Sequence, residues 1–167
     1  PSAVSDWVGD YILCFRSFFI LPKSILKKAR FFAINFHGGP PEFPGSGCIN
    51  FALYENARKF GVTAHIMNEK IDAGEILEVR RLSILPSDNL KTLLSRTHDA
   101  LLYLSLDFIE GISASGENFI EEKKLTFAYE RWKGKARKLS ELDSLQNLSS
   151  NVSETELKRV IRATYIN

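Results

Sequence analysis

Glycine and proline crowd residues 38–47, which read Gly-Gly-Pro-Pro-Glu-Phe-Pro-Gly-Ser-Gly. No helix or strand accommodates that run, because proline withholds an amide hydrogen and glycine favours turns. The loop opens directly where an apolar run, Phe31 to Phe36, closes. A second apolar run, Tyr11 to Phe15, lies upstream. Between them Pro22 to Arg30 reads as a short helix, with Pro22 in its first turn, Ile25 and Leu26 inward, and Lys23, Lys27, Lys28 and Arg30 outward. Strand, helix, strand is the unit that builds parallel sheets, and unbroken apolar runs suit strands covered on both faces. The expected fold class is α/β, a Rossmann-like parallel sheet flanked by helices. Ligands of such sheets gather beyond the carboxyl ends of strands, so the loop marks a candidate site.

The remaining elements follow from periodicity. Ile49 to Phe60 has helical spacing, with Gly61 as the residue that closes it. Val62 to Met67 is a third strand, Asn68 to Gly74 a polar loop, and Ile76 to Leu82 a further strand. Ser87 or Asp88 caps a long helix whose stripe is Leu90, Leu93, Leu94, Thr97, Leu101, Leu104 and Phe108, ending at Gly111. Asn118 to Phe127 is open between a strand pair and an extended tail. Arg131 to Lys138 reads as a basic extended run. Ser153 to Glu156 has capping-box spacing before a last helix through Leu157, Val160 and Ile161. Residues 1–127 are expected to form the core and 128–167 a C-terminal extension.

The chain has 167 residues, 44% hydrophobic and 25% charged, and a formal net charge of +2. That length suffices for one well-buried core. The mild basicity argues against a nucleic-acid platform. Two cysteines, Cys14 and Cys48, without a Cys/His cluster at ligand spacing argue against a metal site. They suit a reducing compartment, and the expected location is cytoplasmic, with one disulfide left open. Pro-Ser-Ala-Val-Ser-Asp at the start has no leader pattern. The run Tyr11 to Leu21 is broken by Arg16 and falls short of the ~20 residues of a membrane span, so no membrane partner is expected. Asn147-Leu-Ser and Asn151-Val-Ser match a glycosylation sequon, a pattern common by chance.

Asn35 and His37 are two apart, so on a strand both side chains lean to one face. Asp72 follows a second strand, and two parallel strands would carry all three to one edge. An amide donor, an imidazole and a carboxylate there make a proton-handling site with an oxyanion partner. Each residue taken singly has a plainer role: Asn35 and Asp72 in turns, His37 as a surface or capping residue.

Ile20-Leu21-Pro22, Ile34-Asn35-Phe36-His37, Gly61-Val62-Thr63, His65, Met67 and Ile71-Asp72-Ala73-Gly74, in that order and spacing, resemble the catalytic core of the 10-formyltetrahydrofolate-dependent formyltransferases. The resemblance spans roughly Tyr11 to Ile112. It implies catalytic roles for Asn35, His37 and Asp72. It implies a formylfolate site near Phe19, Ile20, Leu21, Asn68, Lys70 and Ile71, with no metal. The Pro40-Pro41-Glu42-Phe43-Pro44-Gly45 loop is similar to that of enzymes acting on nucleotide-linked amino sugars, although Gly38 stands where those often carry proline. Gly39, Pro40, Glu42 and Phe43 would then meet the sugar, and a homodimer is the common assembly. A methionyl-tRNA or other formyltransferase is the alternative enzyme. Family members place strand and helix units before the Tyr11 strand, so the resemblance also implies a fragment, which leaves a non-catalytic piece as a further alternative. His65 reads as a structural neighbour of the site. Glu42 is either a substrate contact or a solvated loop carboxylate, and Phe43 and Tyr54 are either packing residues or ligand contacts. Trp132, Lys133, Lys135 and Arg137 either meet a nucleotide or form a solvated linker. Cys48 has no adjacent base and is not a nucleophile.

Overall fold

The computed structural model describes residues 6–17 and 19–166; residues 1–5, read above for a leader, lie outside them. Four strands form one sheet in the order β1 (Gly9–Phe15), β2 (Ala29–His37), β3 (Lys59–Ile66), β4 (Ile76–Ser83). The apolar runs are those strands, as their composition requires. The helix between the first two, α1 (Lys23–Leu26), is shorter than its pattern implied. β2 begins at Ala29, which pairs with Gly9 of β1, and regular pairing resumes at Phe32 after an irregularity.

The sheet is mixed. β1 and β2 are parallel, whereas β2–β3 and β3–β4 are antiparallel. The expectation that β2 and β3 run parallel is therefore corrected. The glycine–proline loop and the two-turn helix α2 (Cys48–Tyr54) bring the chain back beside the end where β2 stops, and β3 sets out from there, pairing Thr63 with His37 and Ile66 with Ile34. Gly61 does not close α2, which ends at Glu55. It lies inside β3, where an added Cβ would sit 2.4 Å from the Arg80 carbonyl oxygen.

Helix α3 (Leu90–Ser115) packs its expected stripe on the sheet, with Leu93, Leu101, Leu104 and Phe108 fully buried. Its cap is Asn89, which exchanges hydrogen bonds with Thr92; Asp88 instead takes Arg96 at 2.6 Å. The helix runs through Gly111 to Ser115, and the absence of a side chain at Gly111 makes room for the Phe119 ring. Asn118 to Phe127, left open above, is helical: α4 (Glu117–Thr126) folds back so that Phe119 meets Phe108 edge-on at 5.2 Å. Phe108 in turn meets Phe36 of β2 at 5.5 Å. Two more helices follow an extended stretch, α5 (Leu139–Gln146) and α6 (Glu154–Thr164). α5 carries no strong periodic signal and escaped the sequence reading. α6 lies on α2, with Asn50 donating to the Ala163 carbonyl at 2.7 Å. No helix among the described residues is long and apolar enough to cross a membrane.

Phe108 joins α3, α4 and the sheet through its ring edges. Phe108→Ala is expected to cost about 3–5 kcal/mol, read as a lowered denaturant midpoint with unchanged slope.

Candidate active site

Alternation on β2 sends Ile34 and Phe36 into the core beneath α3 and turns Asn35 and His37 to the opposite face. β3 pairs Asn35 with His65 and His37 with Thr63, so His65 stands beside Asn35 on that face. Asn35 Nδ2 lies 3.2 Å from His65 Nε2. His65 Nδ1 lies 2.9 Å from the Ile66 carbonyl, which can only accept. Nε2 also lies 3.4 Å from Asp72 Oδ1, so whether it donates to that acid or accepts from Asn35 depends on the ring's tautomer. The amide nitrogen of Asn35 faces His65, and at most one of its two hydrogens is used there, leaving an N–H for another acceptor.

Asp72 arrives by a different route from the one the parallel sheet implied. Because β3 is antiparallel, the segment after it leaves opposite Ile34, back along β2 from His37. It then folds over the sheet face. Asp72 takes φ of 43°, a left-handed conformation, and Gly74 presses so close that an added Cβ would lie 1.6 Å from the Ile66 oxygen. The carboxylate ends up buried between the histidines: Oδ2 is 3.3 Å from His37 Nδ1 and Oδ1 is 3.4 Å from His65 Nε2. The Gly45 amide donates to Oδ2 at 2.7 Å. The structure thus brings Asn35, His37 and Asp72 together, with His65 linking amide and acid.

Electrostatics follow from this packing. Burial pushes the His37 imidazole below its ordinary value and outweighs the attraction of Asp72; His65 adds to the lowering and the Phe43 carbonyl opposes it. Burial pushes the Asp72 carboxyl up, but the hydrogen bond with His65, the charge of His37 and the Gly45 amide together hold it below the usual range. At neutral pH His37 is a base and Asp72 an anion. A carboxylate offers only lone pairs, so Asp72 fixes the neutral His37 proton on Nδ1 and frees Nε2. The Phe43 carbonyl lies 3.4 Å from that Nε2 and can accept a hydrogen bond from it when the ring is protonated. Burial also pushes the Cys48 thiol up to about 12, and it donates to the Gly38 carbonyl. Both cysteines are free.

These side chains open onto a cavity of about 550 Å³. Phe19, Ile20, Leu21, Asn68, Lys70 and Ile71 all line it, with Phe19 and Ile20 each 66% exposed. Gly39, Pro40, Glu42 and Phe43 are absent from its lining among the described residues. Phe43 packs on Phe60 in the core, Gly39 fits beneath His37, and Glu42 is held by Arg81 at 3.1 Å and Lys133 at 3.0 Å. Glu42 is thus an ion-paired carboxylate. Sequence reasoning offered Trp132 as a nucleotide contact or part of a solvated linker, and not as a neighbour of the histidines. Its ring meets His65 edge-on at 5.0 Å and His37 at 5.8 Å, and its Nε1 donates to the Gly74 carbonyl at 2.7 Å. Only long-range packing brings it there, so no local signal could have found it. Leu139, Leu142 and Ile166 of the tail also line the cavity. Among the described residues no group of His, Cys, Asp and Glu could hold a metal ion.

Comparison with known proteins places this geometry in context. The family model described as formyl transferase matches residues 2–103. Methionyl-tRNA formyltransferase from Listeria welshimeri is 36% identical over 115 residues, covering 65% of this chain and 36% of that protein. The chain therefore spans about a third of the length of the curated relatives it matches. Among solved structures, a sugar N-formyltransferase from Shewanella superposes with a TM-score of 0.73 at 21% identity, covering 97% of this chain and 62% of that one. HypX from Aquifex aeolicus, solved in complex with tetrahydrofolic acid, gives 0.67 at 16% identity, covering 93% and 26%. At such identities these two establish the fold.

The lowered His37 and Asp72 values set a pH dependence for folding. The unfolded chain protonates His37 near 6.5 and the folded chain only below that, so stability present above about pH 6.5 is lost as pH falls through the folded value. Asp72 adds a second loss below about pH 4. Denaturant midpoints are expected to fall from pH 7 to pH 5, and His37→Gln is expected to flatten that interval; an unchanged slope in the variant contradicts the assignment.

Proposed function

This chain belongs to the formyl transferase family, and from that we propose that it moves a formyl group from 10-formyltetrahydrofolate to the amine of a nucleotide-linked amino sugar. The observation that carries the reading is the meeting of Asn35, His37 and Asp72 at one cavity. The formylfolate supplies an activated one-carbon acyl group. Its flat ring fits the wall formed by Phe19, Ile20, Leu21, Asn68, Lys70 and Ile71, where exposed apolar side chains border the cavity.

The residues then act in sequence. The amine nitrogen bonds to the formyl carbon, and the carbonyl π pair moves to oxygen. The free N–H of Asn35 donates to that oxyanion, a contribution of about 3 kcal/mol for one such donor. His37 Nε2 takes a proton from the attacking nitrogen, becoming an imidazolium held by Asp72 at Nδ1 and by the Phe43 carbonyl at Nε2. As the carbon–oxygen double bond reforms, the bond to the departing folate nitrogen breaks, and the His37 proton passes to that nitrogen. The electron count closes with His37 neutral again.

The sugar acceptor is favoured by the Pro40–Gly45 loop and by the fold likeness to the Shewanella enzyme, whose name states that activity. A methionyl-tRNA acceptor is the second reading, favoured by the Listeria relative. Work on soluble nucleotide-linked sugars and free folate suits a cytoplasmic protein. A homodimer is part of the same proposal.

Formyl transfer measured with 10-formyltetrahydrofolate and a panel of nucleotide-linked amino sugars, against initiator methionyl-tRNA, decides between the acceptors. His37→Ala is expected to lower kcat by about 10²–10⁴ with the fold retained. Asn35→Ala is expected to lower kcat by about 10²–10³ and leave folate affinity near its original value. No transfer to any acceptor by the unaltered chain would remove the catalytic reading of this polypeptide.

A further inference from the structure

Residues 130–137 run as a strap across the site. Arg81 grips Glu130 with two hydrogen bonds, at 2.5 and 3.0 Å. Main-chain bonds then lace the strap to the glycine–proline loop: the Lys133 amide to the Pro41 carbonyl at 2.8 Å, Arg137 to Pro44 at 3.0 Å, and Ser46 to Arg137 at 2.9 Å. Trp132 is thereby anchored on both sides. Its indole is the one described side chain that meets both ring systems of the site and also bonds the turn bearing Asp72.

We propose that Trp132 is a positioning residue of this site: its ring closes over His37 and His65 together, and its Nε1–H holds the turn that presents Asp72 to them. The role rests on the formyl-transfer reading for its catalytic meaning, but the geometry it describes stands apart from any substrate. An indole edge against an imidazole excludes water from that side of the ring and leaves the polar contacts to Asp72. The groups that face His37 are Asp72 from the β3–β4 segment, His65 from β3, the Phe43 carbonyl, and Cys48 across Gly39 at the start of α2. On the strap, Glu130 and Lys133 are engaged by Arg81 and Glu42. Trp132 therefore acts on His37 through exclusion of water and through the placement of Asp72.

The chain has three histidines, which makes titration of individual rings by NMR practical. In Trp132→Ala, water reaches the ring and the His37 midpoint is expected to rise by about half a pH unit or more, toward its ordinary value. Trp132→Phe restores an aromatic ring without the donor, so water stays excluded while the turn bearing Asp72 is loosened, and the midpoint is expected to fall to or slightly below that of the unaltered protein. In the transfer assay the acid limb of kcat is expected to follow the same order. An unmoved His37 midpoint in Trp132→Ala overturns the proposal. So does a shift accompanied by displaced amide signals along α3, which would mark general loosening. Should the alanine variant not fold, Trp132→Leu carries the same expectation and the same contrary result. Absence of transfer in the unaltered chain would sink the formyl-transfer reading while leaving the NMR outcome to judge Trp132.

Discussion

A carboxylate taken out of water is tolerated only when its lone pairs are met by donors or positive charge. At Asp72 that requirement organises the whole active face. One oxygen receives the Gly45 amide and faces His37, and the other faces His65. The three partners belong to the glycine–proline loop, to β2 and to β3. The acid itself sits on a segment that must double back over the sheet, with a left-handed residue and a glycine pressed against Ile66 to do so. Moving any one of the four segments would strand a buried charge, and a stranded buried charge costs more than most single packing losses. The carboxylate therefore locks together elements that sequence separates.

What could be read from the sequence divides along the same line. The alternation that puts Asn35 and His37 on one face is local, and so it was legible. The stripe of α3 was legible for the same reason, since a run of leucines at three- and four-residue spacing admits one amphipathic reading. The direction of β3 was not legible, because period-two alternation is blind to strand direction. Asp72 was expected beside Asn35 and His37, where it does lie, but by way of a parallel arrangement that the molecule does not use. The cap of α3 moved by one residue, to Asn89, because Asp88 is committed to Arg96, Thr92 and the Leu85 amide. α5 and the helical form of Glu117–Thr126 were hidden because their sequences are polar and their order comes from docking against neighbours.

The tail shows how far docking can outrun pattern. Arg131 to Lys138 reads as a basic linker, and several of its charges do reach solvent. Its backbone, however, supplies the partners of the Pro41 and Pro44 carbonyls, which proline-rich segments cannot satisfy among themselves. Gly45 is the hinge of this arrangement. It pairs with Arg137 on one side and gives its amide to Asp72 on the other, and its backbone passes so close to Arg137 that a side chain would collide at 2.4 Å. The glycine–proline loop is thus rigid from both sides, and its rigidity reaches the acid through one hydrogen bond.

This architecture also resolves an apparent conflict in the roles assigned to one imidazole. A proton acceptor at neutral pH must start without its second proton, yet it must hold that proton once taken. Burial alone meets the first demand and defeats the second; an adjacent anion alone does the reverse. His37 has both, and burial is the larger influence at rest. Once the ring is protonated, the Asp72 charge at Nδ1 and the Phe43 carbonyl at Nε2 act on a full cation instead of a dipole, and their pull grows because the surroundings exclude water. In the proposed transfer that stabilisation would be delivered mainly after the proton moves, which is when it lowers a barrier instead of deepening the resting state. The same logic applies to Asn35. Its amide nitrogen is placed 3.2 Å from His65 Nε2, so in the proposed transfer the group is oriented before charge appears and would need no reorientation as an oxyanion forms.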